Sequence, residues 1–374
     1  MSRLTRLADA LSRSGATTSP RFDEATRLMR SGNLTAATDS IQRALGGAGL
    51  PGAGLPGPGG PGLAGGMTGL GGLPGLRGMS GTTGFPGGVQ APTAGADRSP
   101  GTVTRGAVGA LGYRLYVPTA PQRPAPLLVM LHGGTQDADA CAASTGMDEV
   151  AEREGLVVVY PEQSRSANAM GYWNWFRPGD QERDCGEPAM IAAVTHEVAG
   201  AHDVDAGRVG VAGFSAGAAM AAVLAATHPD LFCGAGVHSG LPYRAARDVG
   251  SAFAAMSSPP AAVADAGPVP LIVVHGDADR TVAPGNADAV VRSAVGRVAG
   301  AAQERETGGG QGARSWTRER WNEPGGRVLA ESWTVHGMGH DWSGGRAGAS
   351  YADPSGPDVA TAIAAFFGMV RAGH

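Results

Sequence analysis

The stretch V-G-V-A-G-F-S-A-G at residues 209–217 sets the architecture, because it reads as a short apolar strand that turns directly into a helix. Glycines two positions before and two positions after Ser215 let strand and helix pass closely, since neither carries a Cβ. The alanine-rich run 216–226 favours that helix. Such a nucleophile elbow projects its serine hydroxyl above the sheet edge, so Ser215 is the candidate nucleophile. The alternative is a chance match, because a chain with 62 glycines can match G-x-S-x-G by composition alone.

Strand and helix patterns alternate from residue 102 onward. The run 111–117 alternates like an edge strand, and 127–131 is a continuous apolar run suited to a central parallel strand. Further strands are predicted at 156–160, 208–212, 234–237 and 271–275, helices at 147–153, 188–201, 284–298 and 358–367, and a late hairpin at 315–322 and 327–336. This order predicts an α/β fold with a mostly parallel, doubly wound sheet.

Sites in open α/β sheets form beyond the carboxyl ends of the strands, so the loop after 127–131 is a candidate. It reads H-G-G-T-Q-D at 132–137, and its small residues leave backbone N–H groups uncovered, as an oxyanion hole requires. We expect the Gly134 N–H to act together with the Ala216 N–H. The alternative is an ordinary glycine-rich turn.

Two later loops offer carboxylates and imidazoles. G-D-A-D-R-T-V at 276–282 follows a strand and contains Asp277 and Asp279, and G-M-G-H-D-W-S-G-G at 337–345 follows another. The order Ser, Asp, His is that of α/β-hydrolases. His336 ends its strand, whereas His340 lies in a glycine-flanked loop that can reach Ser215. The sequence therefore predicts His340 as general base and Asp279 as the carboxylate that orients it, with Asp277 as the alternative.

Aromatic residues concentrate in one loop of a chain that is only 5% aromatic. Core packing is the usual place for such side chains. Between a strand and a helix, however, Trp173 and Trp175 can form an apolar wall of a substrate pocket. Trp342, beside His340, and His238, which follows another strand, are further candidates for that pocket.

Three segments are predicted along the chain. Residues 1–45 contain two short amphipathic patterns, at 22–30 and 34–45, and are predicted to form a helical hairpin. Residues 46–100 are predicted to be a disordered linker, since 21 of the 51 residues at 46–96 are glycine and seven are proline. Residues 101–374 are predicted to be the α/β domain.

Composition excludes several classes of function. The net charge of −4 gives no nucleic-acid footprint, and the absence of lysine excludes a P-loop, a Schiff-base lysine and an S-x-x-K pair. Three cysteines without C-x-x-C spacing argue against a disulfide framework or a zinc site, so neither a metal nor a cofactor is expected. Without a secretory signal pattern or a run of about 20 apolar residues, we expect a soluble, cytoplasmic protein, unless another export route operates.

These motifs together resemble the PHB depolymerase family of esterases, which comprises short-chain-length polyhydroxyalkanoate depolymerases and related feruloyl and acetyl esterases. The similarity runs from about residue 112 to 367, and many of the family's members are extracellular. It covers LHGGTQD at 131–137, YPEQ at 160–163, WNWF at 173–176, GEP at 186–188, GFSAGAAM at 213–220, VHSGLP at 237–242, HGDADRTV at 275–282, GMGHDWSGG at 337–345 and SYADPSGPD at 350–358. The resemblance implies an α/β-hydrolase fold with Ser215 as nucleophile, Asp279 as triad acid and His340 as base.

The chain departs from the family pattern at two positions. Relatives commonly carry cysteine where this chain has Gly134, and often another where it has Tyr172, so loop bracing by those cysteines is absent. Secreted polymer-degrading relatives also commonly append a substrate-binding domain. The resemblance therefore favours soluble or oligomeric hydroxyalkanoate esters over crystalline polymer.

Three functions follow as hypotheses. The first is a serine esterase acting on poly- or oligo(3-hydroxybutyrate)-type esters through an acyl-enzyme, with contact to a polymer surface through the N-terminal region. The second is the same machinery acting on feruloyl or acetylated-carbohydrate esters. The third is a non-catalytic, granule- or surface-associated scaffold whose working parts are the N-terminal hairpin and linker.

Overall fold

The computed structural model describes residues 99–296, 298 and 301–371. The predicted helical hairpin at 1–45 lies outside the described residues, as does the linker at 46–100 apart from its last two positions. Both remain predictions. The architecture below belongs to the segment predicted as the α/β domain.

The described segment contains twelve strands and seven α-helices. The strands are β1 (Thr102–Val108), β2 (Leu111–Val117), β3 (Ala125–Leu131), β4 (Val157–Glu162), β5 (Val204–Phe214), β6 (Gly234–His238), β7 (Leu271–Gly276), β8 (Ala302–Gly308), β9 (Trp316–Asn322), β10 (Val328–Val335), β11 (Trp342–Ser343) and β12 (Ala352–Asp353). The helices are α1 (Ala138–Thr145), α2 (Met147–Glu154), α3 (Gly186–Ala201), α4 (Ala216–Thr227), α5 (Val249–Ser257), α6 (Gly285–Val295) and α7 (Val359–Phe366).

Ten of these strands form one sheet in the order β1-β2-β4-β3-β5-β6-β7-β10-β9-β8. The six central strands, from β4 to β10, are parallel, and the strands beyond them at both ends pair antiparallel. The strands β11 and β12 form a separate two-stranded pair. This is the mostly parallel α/β-hydrolase arrangement that the sequence predicts.

The sheet is covered by helices on both faces, as its alternating residues require. In β3, Leu127 and Val129 face a layer formed by helices α3 to α6, whereas Leu128 and Met130 face a layer formed by α1, α2 and α7. Such strands, buried on both sides, read as continuous apolar runs. The alanine-rich helix α4 is buried around almost its whole circumference, so it lies at the centre of its layer.

The edges of the sheet differ from the prediction. The strand at 111–117 was expected at an edge, but β1 pairs along its whole length and takes that place. At the other edge lies β8, which the sequence patterns missed because its A-Q-E-R-E-T-G sequence carries no apolar alternation. Charge pairing with β9 compensates, as in the ion pair of Glu306 with Arg318. Helices α1 and α5 were also not predicted.

The state of the cysteines and the length of the helices can be described for the part of the chain that the structure covers. Cys141 is buried, Cys185 is exposed and Cys233 is half-buried, and all three are free thiols, as their number and spacing suggested. Of the helices at 138–366, none combines the length and the apolar character needed to cross a bilayer.

Candidate active site

The elbow geometry explains both glycines of the G-x-S-x-G motif. Ser215 connects β5 to α4 with φ of 54° and ψ of −116°, a strained conformation for a residue with a side chain. A Cβ on Gly213 would lie 2.4 Å from the carbonyl carbon of Gly217, and a Cβ on Gly217 would lie 2.3 Å from the Leu131 oxygen. Only glycines let the helix begin this close to the ends of two strands, with the serine raised between them.

The structure brings together the three residues predicted for nucleophilic chemistry. Ser215 Oγ lies 2.9 Å from His340 Nε2, and His340 Nδ1 lies 2.7 Å from Asp279 Oδ2. A carboxylate only accepts, so Nδ1–H donates to Asp279 and Nε2 is left to accept the serine proton. The three side chains follow β5, β7 and β10, whose carboxyl ends meet at one edge of the sheet.

Asp279 is held as a carboxylate by donors on both of its oxygens. Oδ1 accepts the N–H groups of Thr281 and Val282 at 2.8 and 2.9 Å, while Oδ2 also lies 3.3 Å from His275 Nε2. Burial opposes ionisation, but the hydrogen bonds from His275 and His340 outweigh it, so the pKa of Asp279 lies below its usual value. A fixed negative charge is what a neighbouring imidazolium needs.

The alternative carboxylate, Asp277, does not contact His340. Its Oδ2 lies 2.8 Å from His336 Nδ1, and its Oδ1 accepts the Gly337 N–H at 2.6 Å. Asp277 and His336 therefore form a second pair beside the first one.

The loop at residues 132–137, here called the oxyanion loop, runs beside the start of α4. A Cβ on Gly217 would lie 2.5 Å from the His132 oxygen, so the loop backbone touches the first turn of this helix. His132 Nδ1–H donates to the Gly133 oxygen at 2.8 Å. Since the first N–H groups of a helix have no acceptor within it, the Ala216 N–H is positioned to serve an oxyanion. Gly134 is the third residue of this loop, two positions after His132.

Gly134 is in direct contact with the ring of Tyr172. A Cβ on Gly134 would lie 1.7 Å from Tyr172 Cε1, so the ring occupies the space of a side chain at position 134. Burial raises the pKa of Tyr172 to about 12. Positions 134 and 172 are those at which relatives carry cysteine. In this chain the two positions contact each other, because the Tyr172 ring packs on Gly134.

The four residues predicted to line a substrate pocket are buried, and their role in a pocket stays a prediction. Trp173, His238 and Trp342 have no exposed surface, and Trp175 is 5% exposed. His238 stacks on Trp342 with ring centroids 4.7 Å apart and accepts the Ser343 N–H at 3.0 Å. Burial lowers the pKa of His238 well below its usual value, so it is neutral. Trp173 and Trp175 belong to the core on one face of the sheet, and Trp342 belongs to the core on the other face.

Other side chains close to the reacting groups were missed by sequence reasoning. The Phe214 ring lies 4.9 Å from the His340 ring and 6.1 Å from that of Tyr351, measured between centroids. The Tyr351 hydroxyl lies 3.4 Å from Thr135 Oγ1 in the oxyanion loop. Position gave a signal in each case, because Phe214 precedes the serine and Thr135 follows Gly134. Within residues 99–371, as far as they are described, no three His, Cys, Asp or Glu side chains are arranged to hold a metal ion.

Comparison with known proteins places the chain among esterases. Residues 111–319 match the family described as Esterase PHB depolymerase. The chain is 37% identical over 239 residues to poly(3-hydroxyalkanoate) depolymerase C of Paucimonas lemoignei, covering 60% of this chain and 57% of that protein. It is 31% identical over 133 residues to acetylxylan esterase A of Emericella nidulans, covering 35% and 43% of the two chains.

Among solved structures, an acetyl xylan esterase from Aspergillus awamori is similar with a TM-score of 0.54 and 20% identity, covering 72% of this chain and 100% of that chain. At this identity the likeness concerns the fold. The chain spans a little over half the length of the Paucimonas depolymerase. Because the family model matches more than half of its residues, the chain belongs to the esterase PHB depolymerase family.

Proposed function

We propose that this protein is a serine esterase that hydrolyses hydroxyalkanoate oligoesters through Ser215, His340 and Asp279. The observation that carries the proposal is the continuous hydrogen-bond chain from Ser215 Oγ through both imidazole nitrogens to Asp279, with distances of 2.9 and 2.7 Å. It starts from Ser215 on a strained elbow, where the residue is half-buried. Those features are what activation of a serine requires.

In the first half of the reaction, His340 Nε2 takes the Ser215 proton as Oγ attacks the ester carbonyl carbon. The carbonyl oxygen becomes an oxyanion that accepts hydrogen bonds from the Gly134 and Ala216 N–H groups. The imidazolium, stabilised by the Asp279 carboxylate, then gives its proton to the leaving alcohol oxygen. The C–O bond to the alcohol breaks, and an acyl ester on Ser215 remains.

In the second half, a water molecule takes the place of the alcohol. His340 Nε2 accepts a water proton as the hydroxide attacks the acyl carbon, and the same two N–H groups hold the new oxyanion. The proton passes to Ser215 Oγ as the acyl bond breaks, which releases the carboxylic acid and restores the starting state.

The substrate class is proposed from the relatives. The name of the Paucimonas protein supports a poly- or oligo(3-hydroxyalkanoate), in which ester bonds join short hydroxy acids. Contact of the N-terminal region with a polymer surface is tested by pelleting the full chain and a chain lacking residues 1–96 with poly(3-hydroxybutyrate) granules. The contact is rejected when both chains pellet equally.

The deciding experiment is hydrolysis of p-nitrophenyl butyrate by the Ser215→Ala variant. We expect kcat to fall by about 10⁴-fold or more, because the nucleophile is lost while substrate binding is kept. A variant that retains the wild-type rate overturns the mechanism. Covalent labelling of Ser215 by a fluorophosphonate excludes the inactive scaffold as an alternative, because the reagent reports an activated serine.

A feruloyl or acetylated-carbohydrate esterase is the second candidate. The sequence similarity to an acetylxylan esterase supports it, because the name of that relative gives an acetylated carbohydrate as its substrate. Values of kcat/KM on hydroxybutyrate oligomers, methyl ferulate and an acetylated xylo-oligosaccharide distinguish the two. Preference for the hydroxybutyrate oligomer by orders of magnitude removes this candidate, and the reverse preference removes the first.

A further inference from the structure

The oxyanion loop depends on its neighbours for its conformation. Gly133 and Gly134 have no side chains to anchor, and Thr135 adopts φ of 67°, an uncommon backbone conformation for a β-branched residue. An N–H group of such a segment can turn away from a substrate unless the surrounding structure holds it. The orientation of the Gly134 amide is therefore set by what packs on the loop.

What packs on it is the segment at residues 171–176, here called the aromatic loop. The Tyr172 ring lies against Gly134, where a Cβ would be 1.7 Å from the ring. The next residue, Trp173, donates from Nε1 to the His132 oxygen at 3.2 Å. The aromatic loop therefore contacts the oxyanion loop at His132 and at Gly134.

Gln163, at the end of β4, links the two loops. Its backbone N–H donates to His132 Nε2 at 3.0 Å. Its side-chain amide donates to the backbone carbonyl oxygen of Tyr172 at 3.0 Å. The same amide also donates to Glu187. The position of Gln163 thus depends on Glu187, which lies outside both loops.

Glu187 lies in the first turn of α3 and is 3% exposed. Its Oε2 accepts the Asn174 backbone N–H at 2.7 Å, and its Oε1 accepts from the side-chain amides of Asn174 and Gln163. A buried carboxylate is costly unless donors surround it, and here three N–H groups do so. A glutamine of the same shape would present its own N–H groups to donors, so it cannot satisfy all three.

We propose that Glu187 is a positioning residue for ester hydrolysis: through Gln163 and Asn174 it fixes Tyr172 against Gly134 and so aims the Gly134 N–H at the oxyanion. This inference rests on the proposed function, since it assigns Glu187 a role in the same reaction. Glu187 does not touch the substrate. Its effect is confined to the half of the oxyanion hole that the loop supplies, because Ala216 belongs to the rigid helix α4.

A thionoester separates this role from a general structural one. Sulfur is a much weaker hydrogen-bond acceptor than oxygen, so the oxyanion hole contributes less when p-nitrophenyl thionobutyrate replaces p-nitrophenyl butyrate. At pH 8, where the Glu187 carboxyl is ionised, we expect Glu187→Gln to lower kcat on the oxygen ester about 10- to 100-fold with KM changed less than about threefold. On the thionoester, kcat should fall less than about threefold.

Gln163→Met is the second variant, because it removes the linking amide but keeps chain length and burial. It should show the same selective loss on the oxygen ester. Glu182→Gln is the matched control, since Glu182 is an exposed carboxylate paired with Arg244, and its rates should equal those of the wild type on both substrates. Circular dichroism of each variant verifies that the fold is retained.

The inference is overturned if both folded variants lose activity equally on the two esters, or if neither loses activity on the oxygen ester. Either result leaves the proposed nucleophile intact, because that is tested by Ser215→Ala alone. Conversely, an active Ser215→Ala variant removes the proposed function whatever the thionoester ratio is.

Discussion

The molecule contains two His–Asp pairs built from the same two strand ends, and they differ in burial and in the backbone that carries the hydroxyl beside each imidazole. Asp277 and Asp279 both follow β7, and His336 and His340 both follow β10. The Nδ1 to Oδ2 distances are 2.8 Å for the His336 pair and 2.7 Å for the His340 pair. Burial opposes ionisation in both, but the hydrogen bonds from the imidazoles hold the pKa of both carboxyls below the usual value.

Each imidazole also faces a hydroxyl through its second nitrogen. His340 Nε2 lies 2.9 Å from Ser215 Oγ, and His336 Nε2 lies 3.0 Å from Thr317 Oγ1. Thr317, however, lies within β9 and pairs regularly with both neighbouring strands, so no strained turn or helix N-terminus accompanies its hydroxyl. A hydroxyl, an imidazole and a carboxylate in sequence are therefore not sufficient for a nucleophilic site.

Burial makes the second difference. The side chains of His340 and Asp279 are 8% and 0% exposed, whereas those of His336 and Asp277 are both 42% exposed. Solvent screens the outer pair, while the inner pair acts in a medium of low dielectric constant, where a charge on Asp279 stabilises an imidazolium strongly. The comparison indicates that the two pairs differ in burial and in the backbone setting of the facing hydroxyl, and not in the His–Asp hydrogen bond.

The largest contrast is expected from removing each imidazole. His340→Ala should lower kcat on p-nitrophenyl butyrate by about 10⁴-fold or more, because no group then takes the Ser215 proton. His336→Ala should change kcat less than about threefold, since its hydroxyl partner has no role in the reaction. Equal losses in the two variants would mean that the outer pair takes part in catalysis.

A smaller contrast is expected from neutralising each carboxylate. In Asp279→Asn, the N–H groups of Thr281 and Val282 require the amide oxygen on their side, so the NH₂ group faces His340 Nδ1. His340 must then carry its proton on Nε2 and cannot accept one from serine, and kcat should fall by about 10³- to 10⁴-fold.

Asp277→Asn is the matched control for that substitution. Asparagine keeps an acceptor for the Gly337 N–H, so the loop leading to His340 stays in place. Its kcat should remain within about twofold of wild type. A large loss in this variant, with an unchanged melting temperature, would contradict the separation of the two pairs.

The inner pair could be predicted from sequence because its chemistry follows rules of chain order. The elbow motif marked Ser215, and the glycines around His340 separated it from His336, which ends a strand. The parallel sheet was predictable from continuous apolar runs such as 127–131, since burial on both faces leaves that pattern.

Other features depend on tertiary contacts that no local pattern records. Trp173 lies in a loop but packs in the core, and no local pattern distinguishes a buried loop aromatic from an exposed one. The strand β8 was missed because its sequence carries no apolar alternation, whereas its pairing with β9 is a tertiary contact. Glu187 lies in the G-E-P motif but has no distinguishing spacing, since its three donors come from distant positions.

Glu187 also offers a pH test, because its shift is opposite in sign to that of the two aspartates. Burial raises the pKa of Glu187 from 4.5 to about 7. The neutral amide donors around Glu187 offset less of this effect of burial than the imidazoles around Asp279 do. Between pH 4.5 and 7 the folded chain retains a proton that the unfolded chain releases, so stability falls as the pH rises. Over that range we expect wild type to lose about 3 kcal/mol more than Glu187→Gln.

Denaturant unfolding of both proteins at several pH values measures this difference. All other titrating groups are common to the two chains, so their contributions cancel in the comparison. Parallel loss of stability in the two proteins would mean that Glu187 ionises at its ordinary pKa when folded.

The smallest effect is expected from removing the Thr317 hydroxyl, which faces His336 Nε2. Thr317→Val keeps the β-branched shape that suits the strand and removes only the contact with His336 Nε2. The free energy of unfolding should fall by less than about 1 kcal/mol, because the half-exposed imidazole can turn to water instead. Since kcat should not change, fluorophosphonate labelling should also proceed at the wild-type rate and at Ser215 alone. Slower labelling would show that the hydrogen bonds of Thr317 and His336 help to position His340. The most direct route is the end of β10, from which the loop to His340 starts.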